Sequence, residues 1–391
     1  MDNRFDQQDV TVSVANLSIS RQAFLKNSWP MEYHRRDCFK RISSWALGWN
    51  AARLLSGTAR ANACMYESRG FEAEFSSMGS KINLRWYSNQ ASQSRIVEAA
   101  GQVADKWVKI LSDYDPNSQS ELACSKADEG NWTPLSDELW SVIQMCDRWH
   151  QWSNGAFDAA LGAITRLRRQ RKQAAASQWE EARRKSGWNL VELDSSNQAI
   201  RFATPGVRLD FGAIGKGFVV DRITDKLQEM EIDQYVANAS GNMRIGQAPH
   251  NTEGWPIAID FPETGSNEKD VELLRMRLSH CGVATSGDRW QRFPDGAVAG
   301  GAKGERSSHI IDPRTMAGLL GHQSVTIIAD NAVDADAAAT ATCVRAGSDL
   351  AGWLQTLSEK KPKLQAMVLL QDESLASVRL ISNSEVCFRG L

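Results

Sequence analysis

Asp336 and Thr340 are the residues whose types and spacing speak most directly of chemistry. They lie four positions apart in NAVDADAAATATCV, residues 331–344. In a helix that spacing puts them on one face, about 6 Å apart along the axis, with Asp334 on another face. A carboxylate and a hydroxyl are hard oxygen donors, which suit Mg²⁺ that keeps some waters and takes phosphate oxygens. Ala335, Ala337, Ala338, Ala339 and Ala341 are all small, so a ligand or a metal can approach such a helix closely. The same spacing also fits a tightly packed Ala helix with Asp336 as a surface charge.

Four further blocks carry polar groups that could serve a phosphate or a planar ligand. LDFGAIGKGFVVD, residues 209–221, has three Gly in six residues between a strand-like start and a helix. Its backbone N–H groups at the helix start suit a phosphate, and Lys216 can neutralise one. Its spacing is neither the dinucleotide nor the P-loop pattern. SSHIIDPRT, residues 307–315, sets His309 and Asp312 around two apolar residues before a Pro turn. His309 is a candidate general base toward a hydroxyl, or Asp312 simply caps a polar turn. GVATSGD, residues 282–288, reads as a small-residue turn whose Thr285 and Ser286 hydroxyls can bond phosphate or a ring edge. In NGAFDAALGAI, residues 154–164, Asp158 can accept hydrogen bonds from a base or sugar, and Phe157 can line the pocket.

The elements that must position these residues mix strands and helices without strict alternation. The fold class is therefore α+β, with mixed sheets flanked by helices. Lys81 to Tyr87 alternates apolar and polar as a half-buried strand does. Gln93 to Ser112 and Leu135 to Gln151 have helical spacing of apolar residues. Val219 to Met230 and Asp334 to Ala346 read as helices. Gln234–Asn238, Trp255–Phe261, Ser324–Ala329 and Gln365–Leu370 read as strands. Arg166 to Lys185 is charged and Ala-rich and reads as a solvated helix pair with no binding role.

Composition bounds the function. The chain has 391 residues and a net charge of −2, so nothing in it suggests nucleic-acid binding. The seven Cys show no C-x-x-C pair or zinc-type spacing, and their odd number argues against a disulfide framework. Most of them read as inert core thiols. The fourteen Trp are scattered and read as core and groove residues.

Taken in order, these blocks resemble the FAD:protein FMN transferases, the ApbE family. The resemblance runs from about Phe71 to about Gly347. It includes Met78-Gly79, YDPNSQSEL from Tyr114 to Leu122, GAFDAALG, LDFGAIGKG, VANASGN ending at Asn242, GVATSGD, HIIDPRT and DADAAAT. It implies a cleft for FAD as substrate. Mg²⁺ would be bound by Asp336, Thr340 and the backbone carbonyl of Ala213. It further implies FAD contacts from Met78, Tyr114, Ala156, Phe157, Asp158, Asp210, Lys216 and the backbone of Ile310, with His309 as the catalytic base. The implied reaction moves FMN from FAD to a Ser/Thr hydroxyl of an acceptor flavoprotein and releases AMP. Hydrolysis of FAD to FMN and AMP, or non-catalytic carriage of FAD, are the alternatives. Three departures stand out. Ser240-Gly241-Asn242 replaces the usual Gly-Gly-Asp, Met316 stands where Gly usually follows the Asp-Pro-x-Thr turn, and residues 163–186 are unusually basic.

The N-terminal 63 residues read as an extension before a domain spanning 64–391. Residues 1–30 are polar and read as disordered or as an over-extended start. Arg35-Arg36 before Phe39-Lys40 resembles a degenerate twin-arginine export signal. A mildly apolar run from Ile42 to Leu55 follows, and Ala61-Asn62-Ala63 offers a cleavage site before Cys64. Arg53 interrupts the run, which is too short and polar to span a membrane; an amphipathic basic helix is the other reading. A periplasmic or cell-envelope location is therefore expected, with the cytoplasm as alternative. A lipidated Cys64 would associate the chain with a membrane, although Ala61 stands where such signals usually have Leu. N-terminal sequencing of the protein from its native host is expected to begin at or near Cys64. A mature chain that still carries Arg35 and Arg36 would refute cleavage.

Overall fold

The computed structural model describes residues 17–19, 69–88, 92–128, 130–170, 174–260, 273–287, 292–294, 306–320, 322–371 and 378–382. The twin-arginine-like stretch and Cys64 lie outside them. The architecture is α+β, built on one nine-stranded antiparallel sheet with its helices packed mainly on one face.

The sheet is a meander with long insertions. Its strands are β1 (Leu17–Ile19), β2 (Arg69–Ser77), β3 (Ser80–Ser88), β4 (Tyr235–Ala239), β5 (Asn242–Ile245), β6 (Cys281–Gly287), β7 (His322–Ala329), β8 (Gln365–Gln371) and β9 (Val378–Ser382). From β2 to β9 each strand pairs with the next in the chain, and β1 closes the far edge against β9. Thus a piece of the polar N-terminal stretch forms a strand. Six helices come between β3 and β4: α1 (Gln93–Leu111), α2 (Gln119–Ala127), α3 (Asp137–Trp152), α4 (Gly162–Arg169), α5 (Ala176–Arg184) and α6 (Gly215–Glu229). The last two, α7 (Ala332–Ala346) and α8 (Leu350–Lys360), link β7 to β8.

Strand pleating sorts the apolar residues onto two faces. Ile82, Leu84 and Trp86 of β3, Ala237 and Ala239 of β4, Ala284 of β6 and Val325 and Ile327 of β7 point into the helical core. Val236, Val283, Ile328, Met367 and Leu369 point the other way, beneath a hairpin carrying Trp255, Ile257 and Ile259. Among the described residues eight Trp side chains are buried, including Trp86, Trp107, Trp149 and Trp353. Cys124, Cys146, Cys281 and Cys343 are buried thiols, and burial pushes Cys124 up to about 11. That is the inert core role expected of them.

Several expectations need correction. Residues 282–287 are not a turn but most of the central strand β6. Leu209 to Phe211 forms no strand; the chain runs irregularly from Val207 into the turn before α6. The segment from Arg166 does form two short helices, α4 and α5, but it is not simply solvated. Arg166 pairs with Glu121, Arg169 with Asp113, and buried Arg168 bonds the Ser307 hydroxyl at 2.8 Å and the Ser308 carbonyl at 3.0 Å. Charge density alone could not show that partners from α2, the Asp113 loop and the 307–308 strand reach over it.

Helix α7 lies between β6 and α6 at very short range. A Cβ on Gly282 of β6 would fall 2.0 Å from the Asn331 carbonyl carbon, and one on Gly217 of α6 would fall 2.4 Å from the Ala332 oxygen. Both contacts require glycine. The two helices also cap each other. Asp221 of α6 accepts the Ala332 and Val333 N–H groups at 3.0 and 2.9 Å, and Asp336 of α7 accepts the Gly217 N–H at 2.9 Å. Each carboxylate satisfies N–H groups that a helix start leaves unpaired.

Burial pushes Asp221 up to about 6, against the pull of those N–H groups, Arg244 and Arg222. Its folded-state value thus lies above the unfolded one. The folded chain takes up a proton between about pH 4 and 6 that the unfolded chain has lost, so this group's contribution to stability falls as pH rises through that window. Chemical denaturation across it should show Asp221→Asn making the slope of stability against pH more positive by up to about one proton. An unchanged slope would refute the shift.

Candidate active site

Strand register brings the candidate residues to one end of the sheet. Ile82 pairs with Ala239, Ala239 with Asn242, Asn242 with Ala284, and Ser286 with Val325. The β2–β3 tip at Met78-Gly79, the β4–β5 tip at Ser240-Gly241 and the end of β6 at Ser286-Gly287 therefore share an edge. Met78 and Gly79 have φ of +52° and +66°, as a two-residue hairpin turn demands. Met78 packs partly against the core.

Helix α7 runs toward that same end. Its start abuts Gly282, while Thr340 lies beside Ser286, their hydroxyl oxygens 3.5 Å apart. Only alternate residues of β6 can face α7. Ser286 does, whereas Thr285 bonds the Thr326 hydroxyl at 2.9 Å across the strand pair. Of the two hydroxyls expected to share one site, one therefore belongs to it. The Ala face of α7 is not open to a ligand: Ala335, Ala337, Ala338, Ala339 and Ala341 are fully buried against the protein. Small residues are there because β6, β7 and α6 press against the helix. Thr340, half-buried, marks where that cover ends.

The two carboxylates of α7 differ in how they are satisfied. Asp334 accepts from Trp149 Nε1 at 3.1 Å, Asn331 Nδ2 at 3.1 Å and Lys361 Nζ at 2.6 Å. It ties α3 and the end of α8 to the start of α7. Asp336 is 3% exposed and, among the described residues, receives one hydrogen bond, from Gly217. Burial raises its pKa, opposed by the charge of Lys216 and by that N–H. Lys216 also bonds the Gly212 carbonyl at 3.3 Å, so its ammonium lies over the turn that carries half-buried Ala213. Asp336, Lys216 and the Ala213 turn thus meet at the α6 start, with Thr340 one helical turn further along α7.

The other candidates occupy its flanks. Asp210 donates its N–H to the Ala159 carbonyl at 2.8 Å and caps the next turn by accepting the Gly212 N–H at 2.7 Å. Ala156 and Phe157 are buried, and Asp158 uses both oxygens on backbone, from Ala160 at 2.7 Å and Trp188 at 2.8 Å. Burial raises the Asp158 pKa, and those two N–H groups and His150 lower it. As built, its carboxylate shapes the loop behind Asp210, whereas the sequence suggested one free for a base or sugar. Tyr114 stands exposed on the loop after α1.

His309 is exposed on a separate hairpin unit, between strands Arg306–Ser308 and Ile311–Asp312. That unit is anchored on α4 by Arg168, and buried Ile310 accepts the Leu319 N–H at 2.9 Å. Asp312 organises the turn, accepting the Arg314 N–H at 2.9 Å. Met316 adopts φ +57°, the left-handed conformation that favours glycine. Ser240 does likewise at φ +52°, and Asn242 is buried with its backbone paired to Ala284.

Sequence reading missed the mutual caps of α6 and α7, and the ion pairs of Arg166 and Arg169. The caps join residues more than a hundred positions apart, and only Gly217 and Gly282 gave a signal, as glycines where a backbone must come close.

Comparison with known proteins adds independent information. A family model described as the ApbE family matches residues 78–368. The chain is 25% identical to the FAD:protein FMN transferase of Haemophilus influenzae over 290 residues, covering 71% of this chain and 81% of that protein. It is 28% identical over 251 residues to the protein of that name from Chlamydia muridarum, covering 61% and 72% respectively. Among solved structures, the flavin transferase ApbE from Vibrio cholerae superposes with a TM-score of 0.69 at 18% identity, covering 81% of this chain and 98% of that one. The apo flavinyl transferase ApbE of Pseudomonas stutzeri gives 0.68 at 21%, covering 81% and 96%.

The contrast between the two carboxylates of α7 can be measured. Without divalent cations, Asp336→Asn should keep or raise the unfolding free energy, because it removes a buried charge with a single donor. Asp334→Ala should lower it by about 2–4 kcal/mol, since it strands Trp149 and Lys361. Urea denaturation in EDTA distinguishes them; equal losses would make Asp336 a structural carboxylate as well.

Proposed function

The chain belongs to the ApbE family, and from that premise we propose that it transfers FMN from FAD to a Ser or Thr hydroxyl of an acceptor flavoprotein, in a reaction that depends on Mg²⁺. The observation that carries this reading is the buried Asp336, with one hydrogen bond among the described residues, one helical turn from Thr340 and under the influence of Lys216. A carboxylate so placed is under-satisfied and calls for a cation. Asp336, the Thr340 hydroxyl and the Ala213 carbonyl are hard oxygen donors that fit Mg²⁺ with retained water and phosphate oxygens. No three His, Cys, Asp or Glu side chains converge elsewhere among the described residues to offer a competing cage. When bound, the ion would neutralise charge on the diphosphate of FAD.

The protein's own groups supply positioning and proton handling, which dominate in phosphoryl-type transfer. Lys216 adds positive charge beside the diphosphate, together with the N-terminal end of α6. Met78, Tyr114 and Asp210 border the nucleotide, and the Ala156–Asp158 segment supports it from behind Asp210. Ile310 contributes backbone. His309 takes the proton from the acceptor hydroxyl as its oxygen bonds to the FMN-side phosphorus. The phosphorus–oxygen bond to AMP breaks, and AMP leaves. Exposure of His309 favours this reading, since a protein acceptor must reach it.

A second outcome, hydrolysis of FAD to FMN and AMP, is favoured by one observation: Asn242 replaces an acidic residue at the hairpin beside β6. The twin-arginine-like stretch before Cys64 supports a periplasmic or cell-envelope location over the cytoplasm, with membrane association through the acceptor or a lipidated Cys64. No described helix is long and apolar enough to cross a membrane itself.

Incubation with FAD, Mg²⁺ and an acceptor bearing a Ser/Thr flavinylation motif separates the outcomes. Covalent flavin on the acceptor marks transfer, and AMP without it marks hydrolysis. Asp336→Ala should abolish Mg²⁺-dependent turnover. His309→Ala should keep FAD binding and lose transfer by about 10²-fold or more. Full activity in Asp336→Ala would sink the metal assignment, and loss of FAD binding in His309→Ala would sink the role given to that residue.

A further inference from the structure

Tyr114 is 75% exposed, the most open large aromatic side chain among the described residues. One side of its ring is occupied. The Arg169 guanidinium carbon lies 4.3 Å from the ring centroid, from the end of α4. That guanidinium is in turn ion-paired to Asp113, the residue before Tyr114, whose side chain is only 10% exposed. The arginine therefore grips the loop twice, by charge at Asp113 and by its flat face at Tyr114. An exposed aromatic ring with a cation behind it is held in place and leaves its other face for a planar partner.

The charge around the pair has the same orientation. Burial, and after it the charge of Asp210, push the Asp113 pKa up, so the two carboxylates lie within each other's field. Arg169 interacts with both. Without it, two carboxylates would face any anionic nucleotide approaching Tyr114. The basic stretch at residues 163–186 thereby acquires a local purpose that composition did not reveal.

We propose that Arg169 is a positioning residue for the dinucleotide: it backs the Tyr114 ring so that the open face stacks on one of the two planar rings of FAD, and it offsets Asp113 and Asp210 where the anionic substrate approaches. This rests on the transferase reading above. Lysine cannot replace the function in full, since its ammonium is a point charge with no flat face to lay against the ring.

Titration of FAD by flavin fluorescence, with ADP and FMN as separate competitors, tests this on the full chain. Arg169→Gln should weaken FAD binding by about tenfold, and in turnover the loss should fall far more on KM for FAD than on kcat. Arg169→Lys, which keeps the ion pair and so the fold, should weaken it by about threefold. In a Tyr114→Leu background the further loss from Arg169→Gln should shrink to about threefold, the share that belongs to its charge, as coupled residues require. A parallel loss for ADP assigns the stacked ring to adenine, and one for FMN assigns it to the flavin; a loss for neither overturns the proposal. Wild-type affinity in both Arg169 variants, or an undiminished loss in the Tyr114→Leu background, also overturns it. Failure of the wild-type protein to bind FAD would overturn the transferase reading and this inference with it.

Discussion

The structure depends on the crossing of α6 and α7 at their N-terminal turns. Each helix presents a carboxylate to the other's unpaired N–H groups, Asp221 to Ala332 and Val333, Asp336 to Gly217. Two helix starts, each with partial positive charge, meet two buried anions. The arrangement is tight enough that neither Gly217 nor Gly282 has room for a side chain. Because this crossing sits on the central strand β6, it also sets where Thr340 emerges beside Ser286.

The two caps are alike in geometry and differ in completeness. Asp221 receives two N–H groups with Arg244 close by. Asp336 receives one N–H group and has Lys216 near, and it lies one turn from a hydroxyl at the edge of the packed region. The packing of the two helices and the burial of Asp336 thus draw on the same contact. That explains why a nearly featureless Ala helix carries the most informative pair of polar residues: alanines permit the approach of β6 and α6, and the approach buries Asp336.

Around this centre the insertions carry the other candidate residues. The sheet's hairpin tips supply Met78 and the 240–242 turn, the helical insertion supplies Tyr114, Asp210 and Lys216, and the insertion after β6 supplies His309. Arg168 and Arg169, adjacent on α4, extend to two of these parts, the His309 hairpin and the Tyr114 loop. The charged segment that seemed a solvated surface is the bracket between them.

Much of the fold was legible in the amino-acid sequence because its signals are local. Alternation marked β3, and apolar spacing marked α1, α3 and α7, whose bounds lie within two or three residues of the expected ones. Glycine turns and ordered motifs likewise exposed the candidate site, since Asp336 and Thr340 need only helical periodicity to share a face. Other features were decided by tertiary structure alone. Periodicity cannot say whether small residues face a ligand or another helix, and here they face protein. It cannot separate Asp334 from Asp336, two similar carboxylates on one helix, because the difference is made by Trp149, Lys361 and Gly217 from distant segments. Nor can it tell a paired arginine from a solvated one. Local spacing determines which residues share a face; only packing decides what that face meets, and with it which polar groups are left for chemistry.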